Sequence, residues 1–115
     1  MKKVALFVFR EDLMCFIHVL LNALDMKEKG YDIKIVIEGA ATKLIPQLSQ
    51  EGNPMSTQYK KVKEKKLIDG VCRACSTKMK VLKDVEREGL PLADEMHGHP
   101  AFSRYINEGY QIINF

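Results

Sequence analysis

The sequence predicts an α/β fold, a three-layer α/β/α sandwich around a mostly parallel sheet of about five strands. Short apolar runs rich in Val, Ile and Phe alternate along the chain with stretches of helical length. This alternation is typical of βαβ crossovers, which place parallel strands side by side. The chain has 115 residues, of which 46% are hydrophobic. That size suits a single domain, residues 1–115, whose core needs no disulfide or metal to fold.

The first half of the chain is predicted to form two strands and two helices. The strands are Lys3–Phe9 and Tyr31–Glu38, and the helices are Leu13–Lys29 and Ala41–Gln50. The strands are continuous apolar runs, as expected where both faces of a strand are covered. Asp12 is a suitable N-cap for the long helix and Gly30 a suitable C′ residue. Pro46 is expected to split or shorten the second helix.

The second half is predicted to continue the same alternation. Its helices are Thr57–Lys66, Arg73–Glu88 and a helix with Pro100 in its first turn that runs to about Glu108, and its strands are Leu67–Val71, Leu90–Leu92 and Tyr110–Phe115. Gly89 and Gly109 end two of the helices. The segment Ala93–His99 is predicted to be a loop.

The long first helix has only one narrow polar stripe. Its members follow each other at steps of three or four residues and are Glu11, Cys15, His18, Asn22, Asp25 and Lys29. Nearly every other position on this helix is apolar, which is more than one sheet face can cover. We therefore expect the helix to meet another helix or another subunit, and the protein to form a homo-oligomer.

The charge pattern gives no indication of nucleic-acid binding. The net charge is +3, and five lysines lie within seven residues of the run Lys60–Lys66. This run contains no arginine, and Tyr59 is its only aromatic neighbour, whereas single-strand binders combine basic grooves with stacking aromatics. We interpret the run as a solvated helix face that binds no nucleic acid.

No segment is predicted to enter or cross a membrane. No apolar run approaches the ~20 residues that span a bilayer, and the first residues do not form a signal peptide. The chain contains three cysteines, an odd number. Free thiols of this kind are typical of a reducing compartment, so we expect a cytoplasmic protein whose cysteines are reactive, metal-bound or part of the core.

Chemistry-bearing side chains are predicted to converge at one edge of the sheet. In a parallel sheet, ligands bind beyond the carboxyl ends of the strands. The residues that follow strand ends there are Arg10, Cys15, His18, Glu38, Cys72, Cys75, Asp94, His97 and His99. All three cysteines and all three histidines of the chain are in this set.

Cys72 is the leading candidate for a reactive residue. It follows a strand directly and opens a helix, where backbone N–H groups favour a thiolate. Cys75 completes a Cys-x-x-Cys motif and is a candidate resolving thiol. Two alternatives remain: Cys72 is an inert half-buried residue, or Cys75 only continues an apolar row that includes Val71 and Leu82.

A metal site is the second interpretation of the cysteines. Cys15 and His18 are three residues apart and share a helix face, and with Cys72 and Cys75 they would supply a Cys₃His set suited to zinc or iron. The spacings match no established zinc module. The chain also lacks GxGxxG, GxxxxGK[ST], GxSxG and HExxH motifs, so the primary expectation is that no cofactor is bound.

The order of these segments resembles the DsrE/DsrF-like family of small cytoplasmic proteins. The resemblance rests on KVALFVF, the long apolar helix that ends in Lys29-Gly30-Tyr31, the strand IKIVIEG, the segment LIDGVCRAC and the closing PLADEMHGHPAFSRYINEGYQIINF. Several members of this family act in sulfur relay. The resemblance implies that Cys72 holds a persulfide, and that the protein assembles as a dimer, trimer or hexamer.

The resulting hypothesis is a sulfur-handling protein that carries sulfane sulfur on Cys72. Cys15 or Cys75 would accept or resolve the sulfur, and His18 or His97 would assist proton transfer. Its partners would be sulfur donor and acceptor proteins. The alternatives are the metal-binding module and a non-catalytic oligomeric adaptor whose cysteines belong to the core.

Overall fold

The computed structural model describes residues 1–115 and contains five strands and six α-helices. The strands are β1 (Lys3–Val8), β2 (Asp32–Ile37), β3 (Ile68–Cys72), β4 (Leu92–Ala93) and β5 (Gln111–Asn114). The helices are α1 (Leu13–Glu28), α2 (Leu44–Leu48), α3 (Ser56–Glu64), α4 (Arg73–Lys78), α5 (Leu82–Arg87) and α6 (Phe102–Asn107). A 3-10 helix, Gly39–Lys43, precedes α2, so the helix predicted around Pro46 is divided as expected.

The five strands form one sheet in the order β4-β3-β2-β1-β5, and every pair is parallel. The predicted α/β fold with a mostly parallel sheet is therefore confirmed. Since all strands run in one direction, their carboxyl ends lie at one edge of the sheet. The segments after β1, β2, β3 and β4 all begin at that edge.

The two faces of the sheet are covered unequally. The main core contains 22 buried residues, including Val4, Leu6 and Val8 of β1 together with buried positions of α1 and α3. The opposite face holds a cluster of five buried residues, among them Phe7 and Tyr105. This second layer is built by α6. The helical layer over the main core is therefore thick, whereas the layer on the opposite face, which α6 forms, is thin.

The strand β3 contains a β-bulge. Ile35 and Val36, which are adjacent in β2, pair with Ile68 and Gly70, so Asp69 is an additional residue without a partner of its own. An extra residue of this kind shifts the side-chain alternation of the strand by one position.

The bulge determines which way the end of β3 faces. Ile68 and Val71 both join the main core, although in a regular strand they would face opposite sides. Gly70 faces the thin layer, where a Cβ atom on it would lie 3.9 Å from the hydroxyl of Tyr105. Cys72, two residues further on, emerges on the same side as Gly70 and belongs to neither apolar cluster.

The single helix predicted over Arg73–Glu88 is wrong, because the chain forms α4 and α5 with a break between them. Lys80 adopts a left-handed conformation with φ 62°. Its N–H bonds to the carbonyl of Thr77, and the Val81 N–H bonds to that of Ser76. This is a Schellman motif, which ends a helix and turns the following apolar residue, here Val81, into the core.

The predicted start of the last helix also differs. Pro100 is buried but lies before the helix, which has Ala101 as its N-cap and begins at Phe102. Pro100 instead ends the segment that leads from β4 to α6. The strand predicted at Leu90–Leu92 lies two residues later, at β4, because Leu90 closes the Schellman motif of α5.

The helix α1 has more apolar surface than its neighbours bury. Asp12 caps it as predicted, accepting hydrogen bonds from the N–H groups of Met14 and Cys15. The helix packs on the sheet and on α3, but Met14 is 70% exposed and Leu21 is 48% exposed. The predicted contact with another subunit stays a prediction. None of the helices has the length and hydropathy required to span a bilayer.

The adjacent residues Leu20 and Leu21 provide a matched test of this packing. Leu20 is fully buried in the main core, whereas Leu21 is about half exposed. Leu20→Ala is expected to lower the free energy of unfolding by about 2–5 kcal/mol, since it leaves a cavity. Leu21→Ala is expected to change it by less than about 0.5 kcal/mol. Urea unfolding measures both, and equal losses for the two variants would contradict this packing of α1.

Candidate functional site

Four side chains with metal-binding or nucleophilic atoms meet at the carboxyl edge of the sheet. Glu38 follows β2, Cys72 ends β3, Cys75 lies in α4 and His99 lies between β4 and α6. Their ligand-type atoms all lie within 4.8 Å of one another. The convergence predicted for this edge therefore brings together two cysteines, one histidine and one carboxylate.

Cys72 is held at the junction of β3 and α4. Its side chain is fully buried, and its Sγ accepts a hydrogen bond of 3.2 Å from the N–H of Cys75, so that it caps α4. The same sulfur lies 3.1 Å from Nδ1 of His99 and 3.7 Å from the carbonyl oxygen of Gly98. Cys75 Sγ lies 3.6 Å from the same imidazole nitrogen. One histidine nitrogen is thus shared by two thiols.

A tight turn positions His99. The backbone N–H groups of Met96 and His99 each donate to the carbonyl of the other residue, at 2.8 and 2.9 Å. His97 and Gly98 between them both have positive φ values, 49° and 87°. This is the geometry of a type I′ turn, in which both central residues are left-handed.

The turn is docked on the first turn of α4. The N–H of Ala74 donates to the carbonyl of Gly98 at 2.9 Å. A Cβ atom on Gly98 would lie only 3.0 Å from the Cβ of Ala74, so no larger residue fits without displacement. This contact holds the loop that carries His99 against the helix that carries Cys75.

The environment of Cys72 favours the neutral thiol. Burial, the largest cause, and the neighbouring thiol of Cys75 raise the pKa of Cys72 to about 12, although the hydrogen bond from the Cys75 N–H acts in the opposite direction. This shift is opposite in direction to the one that the position of Cys72 at a helix start predicts. Because α4 has only six residues, its N-terminus does not outweigh the cost of burying a charge.

Glu38 is an unpartnered carboxylate at the same site. It is 7% exposed, and its side chain makes no hydrogen bond and no ion pair. Burial raises the pKa of Glu38 to about 7, with a smaller contribution from the negative charge of Glu95. The carboxylate that was expected to mark only the edge of the site is thus buried without a compensating charge.

A mostly apolar cavity of about 410 Å³ adjoins the cluster at Glu38. Its walls are formed by Phe9, Glu38, Met96, Pro100, Ala101, Phe102 and Ser103. A depression of about 470 Å³ lies between Lys66 and Leu90. That depression is at the amino end of β3, away from the cysteines, so the cavity at Glu38 is the one that concerns the site.

The structure separates the predicted site residues into two groups. Cys72 and Cys75 are together, joined by Glu38 and His99 from the predicted edge set. The edge residues outside the cluster are Arg10, Cys15, His18, Asp94 and His97, all exposed except Cys15, which is partly buried. The proposed ligand set of Cys15, His18, Cys72 and Cys75 is therefore not assembled as such. Catalytic roles for Cys15 and His18 stay predictions.

One feature of the site was not predicted from the sequence. The role of Gly98 as the docking point of the turn was missed, although a glycine in the sequence Met-His-Gly-His is a recognisable signal for a type I′ turn.

The alternative that Cys75 merely continues the apolar row of Val71 is not supported, since Cys75 is partly exposed and lies beside His99.

The raised pKa of Glu38 predicts a pH-dependent stability. The folded protein retains a proton that the unfolded chain releases between pH 4.5 and about 7, so stability falls as the pH rises through this window. In a chelator-containing buffer, the free energy of unfolding of the wild-type protein should fall by about 2 kcal/mol between pH 5 and 8, and Glu38→Gln should abolish this fall. Urea unfolding at each pH measures this. Glu51→Gln, at an exposed position, should keep the wild-type slope, and a wild-type slope in Glu38→Gln would contradict the prediction.

Comparison with known proteins assigns the chain to a family. A protein of Methanocaldococcus jannaschii with the name "uncharacterized protein" is 32% identical over 96% of this chain and 93% of its own length. An "uncharacterized protein" of Archaeoglobus fulgidus is 44% identical over 51% of this chain and 95% of its own length.

The fold is shared with a solved structure. A conserved protein of unknown function from Bacteroides thetaiotaomicron superposes with a TM-score of 0.74 over 99% of this chain and 95% of its own, at 16% identity. The model of the DsrE/DsrF-like family matches residues 4–115. This match spans β1 to β5 and includes every residue of the cluster, and the chain therefore belongs to the DsrE/DsrF-like family.

Proposed function

We propose that this protein handles sulfane sulfur through the Cys72–Cys75 pair, with Cys72 as the residue that holds the persulfide. The observation that carries the proposal is the separation of 3.1 Å between Cys72 Sγ and His99 Nδ1, with the Cys75 thiol beside the same nitrogen. Membership in a family that includes sulfur-relay proteins supports it. Cys72 is also the cysteine at the end of the third strand.

Loading requires that Cys72 lose its proton as it attacks. His99 Nδ1, in the tautomer that leaves this nitrogen unprotonated, accepts that proton, and an imidazolium beside the sulfur then offsets the buried negative charge. The thiolate attacks the outer sulfur of a donor persulfide. The donor's S–S bond breaks, and the donor leaves as a thiolate while Cys72 becomes the persulfide.

Delivery uses a second thiol. The thiolate of an acceptor protein attacks the outer sulfur of the Cys72 persulfide, takes that sulfur and returns Cys72 as a thiolate. With no acceptor bound, the Cys75 thiolate attacks the inner sulfur instead. This step forms a Cys72–Cys75 disulfide and releases hydrosulfide, and an external dithiol then reduces the disulfide.

Access to the buried sulfur limits the donor. Cys72 is fully buried, whereas Cys75 and His99 are partly exposed. The apolar cavity at Glu38 offers an approach from the α6 side of the sheet. We therefore expect loading from a small or extended persulfide rather than from a bulky surface group.

Mass spectrometry of the intact protein tests the proposal. After a brief incubation with inorganic polysulfide, stopped by thiol blocking before Cys75 releases the sulfur, wild-type protein should gain the mass of one sulfur atom, and peptide mapping should place it on Cys72. Cys72→Ser should gain none, and the serine hydroxyl can still accept the N–H of residue 75. Because the pKa of Cys72 is raised to about 12, wild-type loading should accelerate as the pH rises from 7 to 10.

Two further variants serve as controls for the roles of the other thiols. Cys15→Ser removes a cysteine outside the cluster and should load as wild type. Cys75→Ser should load but release no hydrosulfide by itself. Loading of Cys72→Ser at the wild-type level would exclude Cys72 as the carrier.

A further inference from the structure

The four clustered side chains have the composition of a zinc site. Two cysteines, a histidine and a carboxylate supply two sulfur atoms, one nitrogen and one oxygen, all within 4.8 Å of one another. Zn²⁺ binds all three ligand types and prefers four of them in a tetrahedron. Mg²⁺ and Ca²⁺ prefer oxygen ligands, so the two thiols argue against either.

The separations fit a tetrahedral ion. With Zn–S bonds of ~2.3 Å and Zn–N bonds of ~2.0–2.1 Å, ligand atoms in such a site lie roughly 3.3–3.8 Å apart. His99 Nδ1 lies 3.1 Å from Cys72 Sγ and 3.6 Å from Cys75 Sγ. Since no pair in the cluster exceeds 4.8 Å, shifts of about 1 Å or less bring all four atoms to bonding distance.

Glu38 provides an independent indication that this site binds a cation. Glu38 is 7% exposed as a residue, and its side chain has neither a hydrogen bond nor an ion pair. A buried carboxylate without a partner is costly, and a bound dication supplies the opposite charge.

The backbone holds the ligands in place before any ion arrives. The type I′ turn and its hydrogen bond to Ala74 fix the segment that carries His99. The Cys75 N–H already points at Cys72 Sγ, where it stabilises a metal-bound thiolate. Glu38 follows β2 directly and Cys72 ends β3, so the neighbouring strands of the sheet set their spacing.

We propose that Glu38, Cys72, Cys75 and His99 bind one Zn²⁺ in a four-coordinate site. Both thiols release their protons to solvent when the ion binds, and the imidazole binds through Nδ1. The proposal has a second part, which rests on the proposed function. Since the same two thiolates would bind zinc and carry sulfur, zinc and sulfane sulfur exclude each other, and zinc protects the pair from loading.

Metal titration tests the site without any sulfur donor. Protein prepared without a histidine tag, reduced and treated with a chelator, is titrated with Zn²⁺ against a chromophoric competitor, and separately with Co²⁺. We expect one ion per chain, and a cobalt spectrum with tetrahedral d–d bands and thiolate charge transfer. Binding of no zinc, or an octahedral cobalt spectrum, would overturn the proposal.

Variants distinguish the ligands from their neighbours. Glu38→Gln, Cys75→Ser and His99→Gln should each weaken zinc binding by at least about tenfold. The double variant Cys15→Ser/His18→Gln is the matched control, because it removes the same residue types outside the cluster, and it should bind as wild type. Loss of binding in the double variant, or full binding in Glu38→Gln, would overturn the ligand set. Circular dichroism confirms that each variant is folded.

The competition between zinc and sulfane sulfur is measured last, so that the zinc site and the sulfur function can each be contradicted without the other. Zinc-loaded protein should gain no sulfur on Cys72, and removal of zinc should restore loading. If metal-free protein takes up no sulfur while zinc binds, the sulfur function fails and the zinc site stands. If zinc-loaded protein takes up sulfur as fast as metal-free protein, the competition is wrong.

Discussion

The parallel pairing of all five strands is the constraint on which the site depends. It brings the carboxyl ends of β2 and β3, which are neighbours in the sheet, to one edge. Glu38 and Cys72 stand at those ends and are therefore close in space although 34 residues separate them. An antiparallel pairing of the same two strands would place these residues at opposite ends of the sheet.

The second requirement is the contact between the His97–Gly98 turn and α4. The start of the loop after β4 is held by the short strand itself and by the ion pairs Arg73–Asp94 and Arg104–Glu95, whereas this contact holds its end. The carbonyl of Gly98 accepts the Ala74 N–H and lies near the Cys72 thiol. A single backbone group thereby links the loop of His99 to Cys72 and to Ala74 inside the Cys-x-x-Cys motif.

Much of the fold could be predicted because apolar runs and glycine punctuation agree along the chain. The strand runs at Lys3 and Tyr31 and the helix ends at Gly30 and Gly109 are of this kind. The break at Lys80 was not predictable, because a lysine in the left-handed region has no sequence signature. It is the same conformation that Gly30, Gly89 and Gly109 adopt after α1, α5 and α6, imposed here by the burial of the next residue, Val81.

The sequence predicts at which edge of the sheet the candidate site lies, but not which of the residues at that edge come together. Sequence places a residue at an edge of a sheet, but it gives no distance along that edge. Cys15 and Glu38 were therefore equivalent in the sequence, although only Glu38 reaches the cysteine pair. The burial of Glu38 depends on the loop before α6, which lies 58 residues or more away in the chain and covers it only in the folded protein.

The bulge at Asp69 has a consequence for how chains of this fold vary. One additional residue in β3 decides whether the residue at the strand end enters the main core or opens toward α6. An insertion or deletion of a single residue there would exchange the two environments while leaving the cysteine itself unchanged. A cysteine at the end of β3 therefore lies either beside His99 or among the apolar side chains of the main core, and the presence of the cysteine alone does not distinguish the two.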